Sequence, residues 1–209
     1  MRLSILAVAA VSAVLWGGCG DGGNPGGGSS DGGTLSCGSR ECGSAEMLDG
    51  KTWMTENLNK TTADSWCYED SPDSCAKYGR LYTWNEAKTI CLSIGWRLPD
   101  TADWNTLVNA VGGRDIAGGK LKSESGWSNV GNSNGNGTND FQFSALPGAS
   151  RGANGGFWAV GVYGYWWTIT QNSDVNAYAY AMSMINSNNR VKEDAYDKGS
   201  GLSVRCVKN

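Results

Sequence analysis

The chain has 209 residues, a formal net charge of -3 and no histidine. The acidic balance argues against nucleic acid as a partner, and the absence of histidine excludes Ser-His-Asp and Cys-His catalytic groups and histidine-ligated zinc. The length suits one well-buried domain with appendages, and the 10 Trp, 8 Tyr and 31 Gly are typical of a loop-rich recognition domain.

Residues 1–18 indicate an export signal. Arg2 supplies a short positive region, and the apolar run from Leu3 to Trp16 is too short to span a bilayer. A Gly-Gly-Cys site ending at Cys19 follows, which resembles the cleavage site of a bacterial lipoprotein signal, although Trp16 stands where that pattern usually has Leu. The resemblance implies that Cys19 is lipidated and that the chain is anchored in the cell envelope, at the outer membrane or the cell surface. The alternative is an ordinary secretory signal with an incidental cysteine.

Residues 19–44 predict a flexible tether because they are rich in Gly and Ser and lack side chains that could build a core. We therefore expect the folded domain at residues 45–209. With Cys19 lipidated, six of the seven cysteines remain, which is an even number in an oxidising compartment. Their spacing alone does not choose among the possible disulfide pairings. A metal site is the rival interpretation, which the lack of C-x-x-C spacing and of histidine disfavours, and no cofactor is expected.

The first predicted elements of the domain are a hairpin and a helix. Residues 47–54 place Asp49-Gly50 between two short apolar segments, which is a strong hairpin signal. The helix begins at Thr83, whose side chain is a cap with Glu86 three positions later, and it ends before Gly95.

A second helix begins at Asp100, with Asp103 at its third helical position, and ends before Gly112. Both helices show apolar residues at helical spacing, which predicts one buried face on each. These residues are Ala87, Ile90, Cys91 and Ile94 in the first helix, and Trp104, Leu107, Val108 and Val111 in the second.

Beyond residue 113 the pattern changes to short segments cut by Gly, Asn and Ser. These segments predict strands at residues 141–146, 156–162, 165–170, 177–184 and 202–207. A strand-like start, two helices and a loop-rich β half predict an α+β domain.

Two polar stretches of this half are assigned to surface structure. The adjacent carboxylates Glu193 and Asp194 indicate a polar turn, because neighbouring residues on a strand would face opposite ways. The Asn-rich stretch 132–137 has the oxygen spacing of a calcium loop but lacks its leading Asp and closing Glu, so a solvated loop is favoured.

Seven short motifs then occur in the order of a known family. They are M-L-D-G-K-T-W-M-T-E-N-L-N, Y-G-R-L-Y-T-W-N-E-A, G-W-R-L-P-D-T-A-D-W-N-T-L, A-G-G-K-L-K-S, F-S-A-L-P-G, Y-W-W-T and S-V-R-C-V-K. From about residue 45 to the end, the chain resembles the Fibrobacter succinogenes major paralogous domain, a family of undetermined biochemical function that is typical of exported and lipid-anchored proteins. The R-L-P-x-x-x-x-W element is shared with the formylglycine-generating (sulfatase-modifying) enzymes, and the family more distantly resembles C-type lectin-like folds.

The resemblance implies a C-type lectin-like fold, with two helices packed on small antiparallel sheets and stapled by disulfides. In that fold a cysteine of the first helix is bonded to one of the last strand, which implies the pair Cys91–Cys206. Spacing together with the resemblance then gives Cys67–Cys75 and leaves Cys37–Cys42.

The resemblance also assigns a structural role to the R-L-P turn, which joins the two helices. It implies that Arg97 anchors polar backbone between the helices, while Trp96 and Trp104 fill the space below.

The β half holds the candidate recognition residues, because aromatic faces stack on sugar rings and nearby Asn and Ser can bond sugar hydroxyls. The candidate ligand contacts are Trp158, Tyr163, Tyr165, Trp166 and Trp167. Since adjacent strand residues face opposite ways, we expect one of Trp166 and Trp167 in the core and the other near a surface. The alternative is that all these rings simply form the core.

No catalytic residues are assigned. The enzymatic relatives use a reactive cysteine pair and copper, and sugar-binding C-type lectins use a Glu-Pro-Asn or Gln-Pro-Asp calcium motif, none of which has a match in the β half of the sequence. We therefore expect an exported, lipid-anchored, non-catalytic binding or adhesion module, whose partner is a polysaccharide or another envelope protein. A diverged enzyme of the sulfatase-modifying type and a structural envelope lipoprotein are the alternatives.

Overall fold

The computed structural model describes residues 42–209. The export signal, the lipidation site Cys19 and most of the tether lie outside the described residues. The predicted pair Cys37–Cys42 is only half described: Cys42 is buried and disulfide-bonded, while Cys37 lies outside the described residues.

The described residues form short helices and small antiparallel sheets, which confirms the α+β class. Two three-stranded sheets have the strand orders β1-β2-β10 and β7-β8-β9, and two further sheets pair β3 with β4 and β5 with β6. The elements in chain order are β1 (Ser44–Glu46), β2 (Thr52–Met54), β3 (Ser65–Trp66), a 3-10 turn (Tyr68–Asp70), α1 (Pro72–Tyr78), β4 (Leu81–Tyr82), α2 (Trp84–Ser93), α3 (Thr101–Ala110), α4 (Ala117–Leu121), β5 (Ser150–Arg151), β6 (Phe157–Trp158), β7 (Tyr163–Gln171), β8 (Tyr178–Ile185), β9 (Val191–Asp197) and β10 (Val207–Lys208).

The two ends of the described chain meet in one sheet. β1 and β2 form the predicted antiparallel hairpin, and β10 pairs with the other edge of β2. The turn depends on Gly50, whose φ of 75° lies in the left-handed region that favours glycine. The first strand ends at Glu46, so the hairpin begins earlier than predicted and Met47 belongs to the turn.

The two predicted helices are present as α2 and α3. At the start of α2 the Thr83 hydroxyl accepts a hydrogen bond from the Glu86 N–H at 3.4 Å. α3 begins with a complete capping box, in which Asp100 accepts from the Asp103 N–H at 2.7 Å and Asp103 accepts from the Asp100 N–H at 2.8 Å. The sequence pattern does not predict α1 and α4, because helices of seven and five residues are too short to show a helical period.

The sheet of β7, β8 and β9 lies between two apolar cores. On one face, Trp167 and Ala181 pack with the apolar side of α2. On the other face, Trp166 and Met182 pack with the apolar side of α3. Adjacent strand residues point to opposite faces, so a strand that is covered on both faces buries both tryptophans, each with 0% exposure. The prediction that one of the two lies near a surface is therefore wrong.

Two predicted strands are absent or much shorter in the structure. In the segment 141–146, Gln142 and Ser144 have φ values of 58° and 52°, which extended backbone does not allow. The segment 156–162 keeps only β6, because Ala159 turns the chain with a φ of 66°. The apolar and aromatic residues of these segments indicate burial, and burial alone does not require a strand.

β9 occupies the place of the predicted polar turn at Glu193 and Asp194. Its residues V-K-E-D-A-Y-D pair with β8 along their whole length. β9 is an edge strand, where charged side chains are common. These charged residues obscure the strand pattern in the sequence. The predicted strand at 202–207 is reduced to β10, and Leu202 and Ser203 form only isolated bridges.

Two disulfides link described residues. One joins elements that are far apart in the sequence, and the other closes a short loop. Cys91 of α2 is bonded to Cys206, which directly precedes β10. Cys67 is bonded to Cys75 of α1. Both pairings are those expected from the resemblance and the spacing.

The R-L-P turn connects α2 to α3, and an ion pair between Arg97 and Asp103 ties the turn to α3. Arg97 donates to the two carboxylate oxygens of Asp103 at 2.5 and 2.9 Å, and to Asn209 Oδ1 at 2.8 Å. The expectation that the Arg97 side chain anchors backbone is corrected, because its partner is the carboxylate of Asp103, six residues later in the first turn of α3. Burial alone would raise the pKa of Asp103, but hydrogen bonds from Arg97 and from the Asp100 N–H, with the charges of Arg97 and Lys51, lower it to about 2.

Trp104 and Trp96 lie at different cores. Trp104 is fully buried, with its ring centroid 5.1 Å from that of Trp53 and 5.5 Å from that of Phe143. Its indole N–H has no hydrogen-bond partner within residues 42–209. Trp96 is half-buried and packs against the core that contains α2. The two rings therefore fill space in different cores, and the expectation of one shared space below the turn is corrected.

Arg205 of the S-V-R-C-V-K motif is fully buried and is held by oxygen atoms of the chain. It donates to the backbone carbonyls of Met54, Phe143 and Ser144 and to Asn57 Oδ1. Burial lowers the pKa of Arg205. The irregular backbone of the segment 141–146 thus supplies the carbonyl groups that solvate a buried cation.

Candidate functional site

The β7-β8-β9 sheet carries a groove of partly exposed side chains. The groove lies on the face that packs against α2, in the part of that face that α2 does not cover. Strand register places Tyr165 opposite Ser183, and Ser183 opposite Lys192. Ser183 in the middle strand has a small side chain and lies between the larger side chains of Tyr165 and Lys192, so this surface is concave. We call it the tyrosine groove and define it by residues that share this face: Tyr163, Tyr165, Ser183, Lys192, Asp194 and Tyr196.

The tyrosine rings of the groove form a continuous row. Tyr163 and Tyr165 are stacked, with centroids 5.4 Å apart and 8° between their planes, and Tyr165 meets Tyr196 edge to face at 5.3 Å. Burial and the neighbouring Tyr163 and Asp194 raise the pKa of Tyr165 to about 12, and burial and Tyr165 raise the pKa of Tyr196. Both hydroxyls therefore stay protonated at neutral pH and serve as hydrogen-bond donors.

A cavity of about 70 Å³ opens beside Tyr163 at one end of the groove. Ser183, which is 5% exposed, contributes its hydroxyl to the lining of the cavity. Arg190, which lines the cavity, is paired with Asp115 at 2.8 Å, whereas none of the ion pairs within residues 42–209 involves Lys192. The cavity is lined by Tyr163, Ser183, Met184, Ile185, Asn188, Arg190 and Lys192.

The sequence candidates thus fall into three groups. Tyr163 and Tyr165 lie together in the groove, as partly exposed rings. Trp166 and Trp167 are not available to a ligand, because the two cores cover both faces of β7. Trp158 lies on a different hairpin, formed by β5 and β6.

Trp158 is the most exposed aromatic ring among the large hydrophobic residues of the described chain, at 59%. Its indole rests along a glycine turn, since a Cβ atom at Gly156 would lie 3.3 Å from indole Cζ2 and one at Gly152 would lie 3.5 Å from Nε1. The hairpin is fixed by a pair of backbone hydrogen bonds between Arg151 and Gly201, at 2.9 and 2.7 Å. One side of the ring is therefore supported by backbone.

The Asn-rich loop is held by a buried lysine. Lys122 Nζ donates to the carbonyls of Gly135 at 3.1 Å, Ile185 at 3.2 Å and Asn188 at 3.0 Å. Residues 132–134 are exposed, which agrees with a solvated loop, and no cluster of metal-binding side chains occurs within residues 42–209. By fixing the carbonyl of Asn188, Lys122 also positions one side of the cavity beside Tyr163.

Sequence reasoning missed the half of the groove that β8 and β9 supply. Lys192, Asp194 and Tyr196 alternate along β9 and so share one face. That alternation is the signal in the sequence, and the adjacent pair Glu193-Asp194 obscured it. Ser183 has no signal of its own, because only the strand register brings it between Tyr165 and Lys192.

Comparison with known proteins gives one match. The family model described as the Fibrobacter succinogenes major domain matches residues 46–208. No curated protein and no solved structure matches the chain. Among the helices of the described part, none is long and apolar enough to cross a bilayer.

Proposed function

We propose that this chain, which belongs to the Fibrobacter succinogenes major domain family, is an exported, lipid-anchored envelope protein that binds polysaccharide and catalyses no reaction. The observation that carries the proposal is the tyrosine groove, in which three partly exposed rings lie beside a hydroxyl and two charged side chains. Aromatic faces bind the C–H faces of sugar rings, and polar groups nearby bond sugar hydroxyls. The groove offers both kinds of contact on one surface.

The rings of the groove are held by packing within the domain. Tyr165 and Tyr196 pack against the core that contains α2, and Tyr163 stacks on Tyr165. Binding therefore costs little conformational entropy at these side chains. The site is shallow, so we expect modest affinity for one sugar unit and stronger retention by a polymer that offers many units.

The ionisable groups of the groove favour binding over catalysis. The raised pKa values of Tyr165 and Tyr196 keep their hydroxyls protonated, so neither supplies a base at neutral pH. Glycoside hydrolysis generally uses two carboxyl groups that flank one bond. Asp194 is the carboxylate on this face, and its neighbour Glu193 points to the opposite face of the sheet.

The lipid anchor at Cys19 is proposed from the sequence of residues 1–19. Membrane partitioning tests it directly: we expect the protein in the membrane fraction and Cys19→Ala in the soluble fraction. Equal partitioning of both proteins would contradict the anchor.

We also propose that the α+β domain has a C-type lectin-like architecture. The disulfide between Cys91 of α2 and Cys206 supports it, because that fold bonds its first helix to its last strand. An experimental structure whose strand order departs from that fold would contradict this assignment.

Affinity electrophoresis of the purified protein through gels containing single plant or bacterial polysaccharides tests the proposed function. We expect retardation by at least one glycan. Tyr163→Ala should weaken it roughly five- to thirtyfold, or about 1 to 2 kcal/mol, while Tyr163→Phe keeps the ring and most of the binding. Tyr178→Ala is the matched control, since Tyr178 is an exposed ring on the opposite face of the sheet.

Absence of retardation by every glycan, with the protein shown to be folded, would contradict polysaccharide binding. Adhesion through protein contacts would then be the better explanation of the chain.

A further inference from the structure

We propose that the cavity beside Tyr163 receives a carboxylate carried by a sugar ring, so that the tyrosine groove selects polysaccharides built from uronic acids over neutral ones. The inference rests on the proposed function and names the ligand class of the same site. It draws on the size of the cavity, its charge and the hydroxyl that Ser183 contributes to its lining.

The size of the cavity fits a substituent better than a ring. Its volume is about 70 Å³, which holds a few water-sized groups. Pockets that enclose a whole small molecule usually measure roughly 300 Å³ or more. A sugar ring placed on Tyr163 therefore stays outside, and one of its substituents enters.

The charge of the cavity favours an anion. Arg190 and Lys192 line it, and no carboxylate does. Asp115 neutralises part of the Arg190 charge from outside the lining, with Arg190 Nε and Nη2 at 2.9 and 2.8 Å from its oxygen. Asp194, the other nearby carboxylate, lies one step further along β9 among the tyrosines. None of the ion pairs found within residues 42–209 involves Lys192.

Ser183 places a hydroxyl in the lining of the cavity, and the residue is 5% exposed. A serine hydroxyl donates one hydrogen bond and can accept others. A carboxylate oxygen at this place accepts from the Ser183 hydroxyl, while the same group is paired with Lys192 at the rim. Asn188, whose carbonyl is fixed by Lys122, adds an amide that donates to the second oxygen.

The test compares uronic-acid polymers with their own neutral forms, so that only the charge differs. Polygalacturonate, alginate and glucuronan are each used in two forms, the free uronan with its carboxylates intact and the polymer after carboxyl reduction. A sulfated galactan serves as a further polyanion. We expect the protein to bind at least one free uronan roughly tenfold more tightly than its reduced form, and more tightly than the sulfated polymer. High salt should reduce the difference in affinity between the free and the reduced polymer, because Lys192 is exposed and salt screens its charge.

Variants of the cavity separate specific recognition from general attraction. Lys192→Ala should remove most of the tenfold preference, Lys192→Arg should keep it, and Lys208→Ala, at an exposed position on β10, is the control. Ser183→Val narrows the cavity and removes the hydroxyl, so it should weaken binding of the uronan about tenfold more than it weakens binding of the reduced polymer.

Three results overturn the inference. Equal binding of free and reduced polymers that still depends on Tyr163 would leave polysaccharide binding intact and reject the carboxylate cavity. A preference for every polyanion that survives Ser183→Val would show charge attraction without a built site. Failure to bind any polymer would reject both the cavity and the proposed function.

Discussion

The ion pair between Arg97 and Asp103 makes the stability of the domain depend on pH, and Asp103→Asn isolates that dependence. In the folded chain the pKa of Asp103 is about 2, against an ordinary value of 3.8. One pKa unit corresponds to about 1.4 kcal/mol, so the charged carboxylate contributes roughly 2 kcal/mol to the free energy of unfolding. The Asp103 side chain is 7% exposed and the Arg97 side chain 34%, so solvent screens this contribution in part.

The sign of the effect follows from the direction of the shift. Because the pKa is lower in the folded state than in the unfolded state, the contribution is complete above about pH 5 and is lost as the pH falls towards 2. Asparagine keeps the shape of the side chain and a carbonyl oxygen that accepts from the Asp100 N–H, but it carries no charge. Asp103→Asn should therefore be about 2 kcal/mol less stable than the wild type at pH 7 and equally stable near pH 2.

Urea denaturation followed by tryptophan fluorescence, repeated from pH 7 to pH 2, measures this difference. Asp100→Asn is the matched control, because Asn caps a helix about as well as Asp does and should cost little at any pH. A difference between wild type and Asp103→Asn that stays constant over the whole range, or that is absent at pH 7, would refute the role assigned to the ion pair.

Other variants test the cores and the exposed ring. Replacing both Cys91 and Cys206 by Ala should lower the free energy of unfolding by about 4 to 5 kcal/mol, since the bond spans 115 residues, and a loss below about 1 kcal/mol would contradict this. Trp104→Ala should cost about 3 to 5 kcal/mol, and Trp104→Phe less because it removes a buried N–H without a partner; melting like the wild type would disprove the structural role of Trp104. Trp158→Ala should leave the melting temperature unchanged, because the ring is 59% exposed, and a large drop would show that the hairpin depends on it.

The parts of the fold that depend on local chemistry could be predicted from the sequence. Thr83 and Asp100 cap helices through side chains that reach only three residues along the chain, so their short motifs were sufficient. The strands β7 and β8 carry aromatic and apolar residues over eight or more positions, which gives a clear pattern.

The parts that depend on distant contacts could not be predicted in the same way. The segment 141–146 looks like a strand, but its carbonyls turn towards Arg205, which lies some 60 residues later in the chain. Whether Trp166 or Trp167 reaches a surface depends on which faces of the sheet α2 and α3 cover, and no local pattern contains that information.

The candidate site shows the same division. Tyr163 and Tyr165 were found because the aromatic composition of β7 is visible in the sequence. Ser183 and Lys192 were missed because only the pairing of β8 with both neighbours places them beside these rings. A groove that crosses three strands is a property of register, which hydrophobic pattern and turn geometry specify together.

The most direct test of polysaccharide binding is the dissociation constant of wild type, Tyr163→Ala and Tyr178→Ala for one retained glycan, measured by isothermal titration on proteins with the same melting temperature. We expect Tyr163→Ala to bind roughly five- to thirtyfold more weakly and Tyr178→Ala to bind like the wild type. Equal affinities for all three proteins, or a loss of the same size in both variants, would contradict the assignment of the tyrosine groove as the binding site.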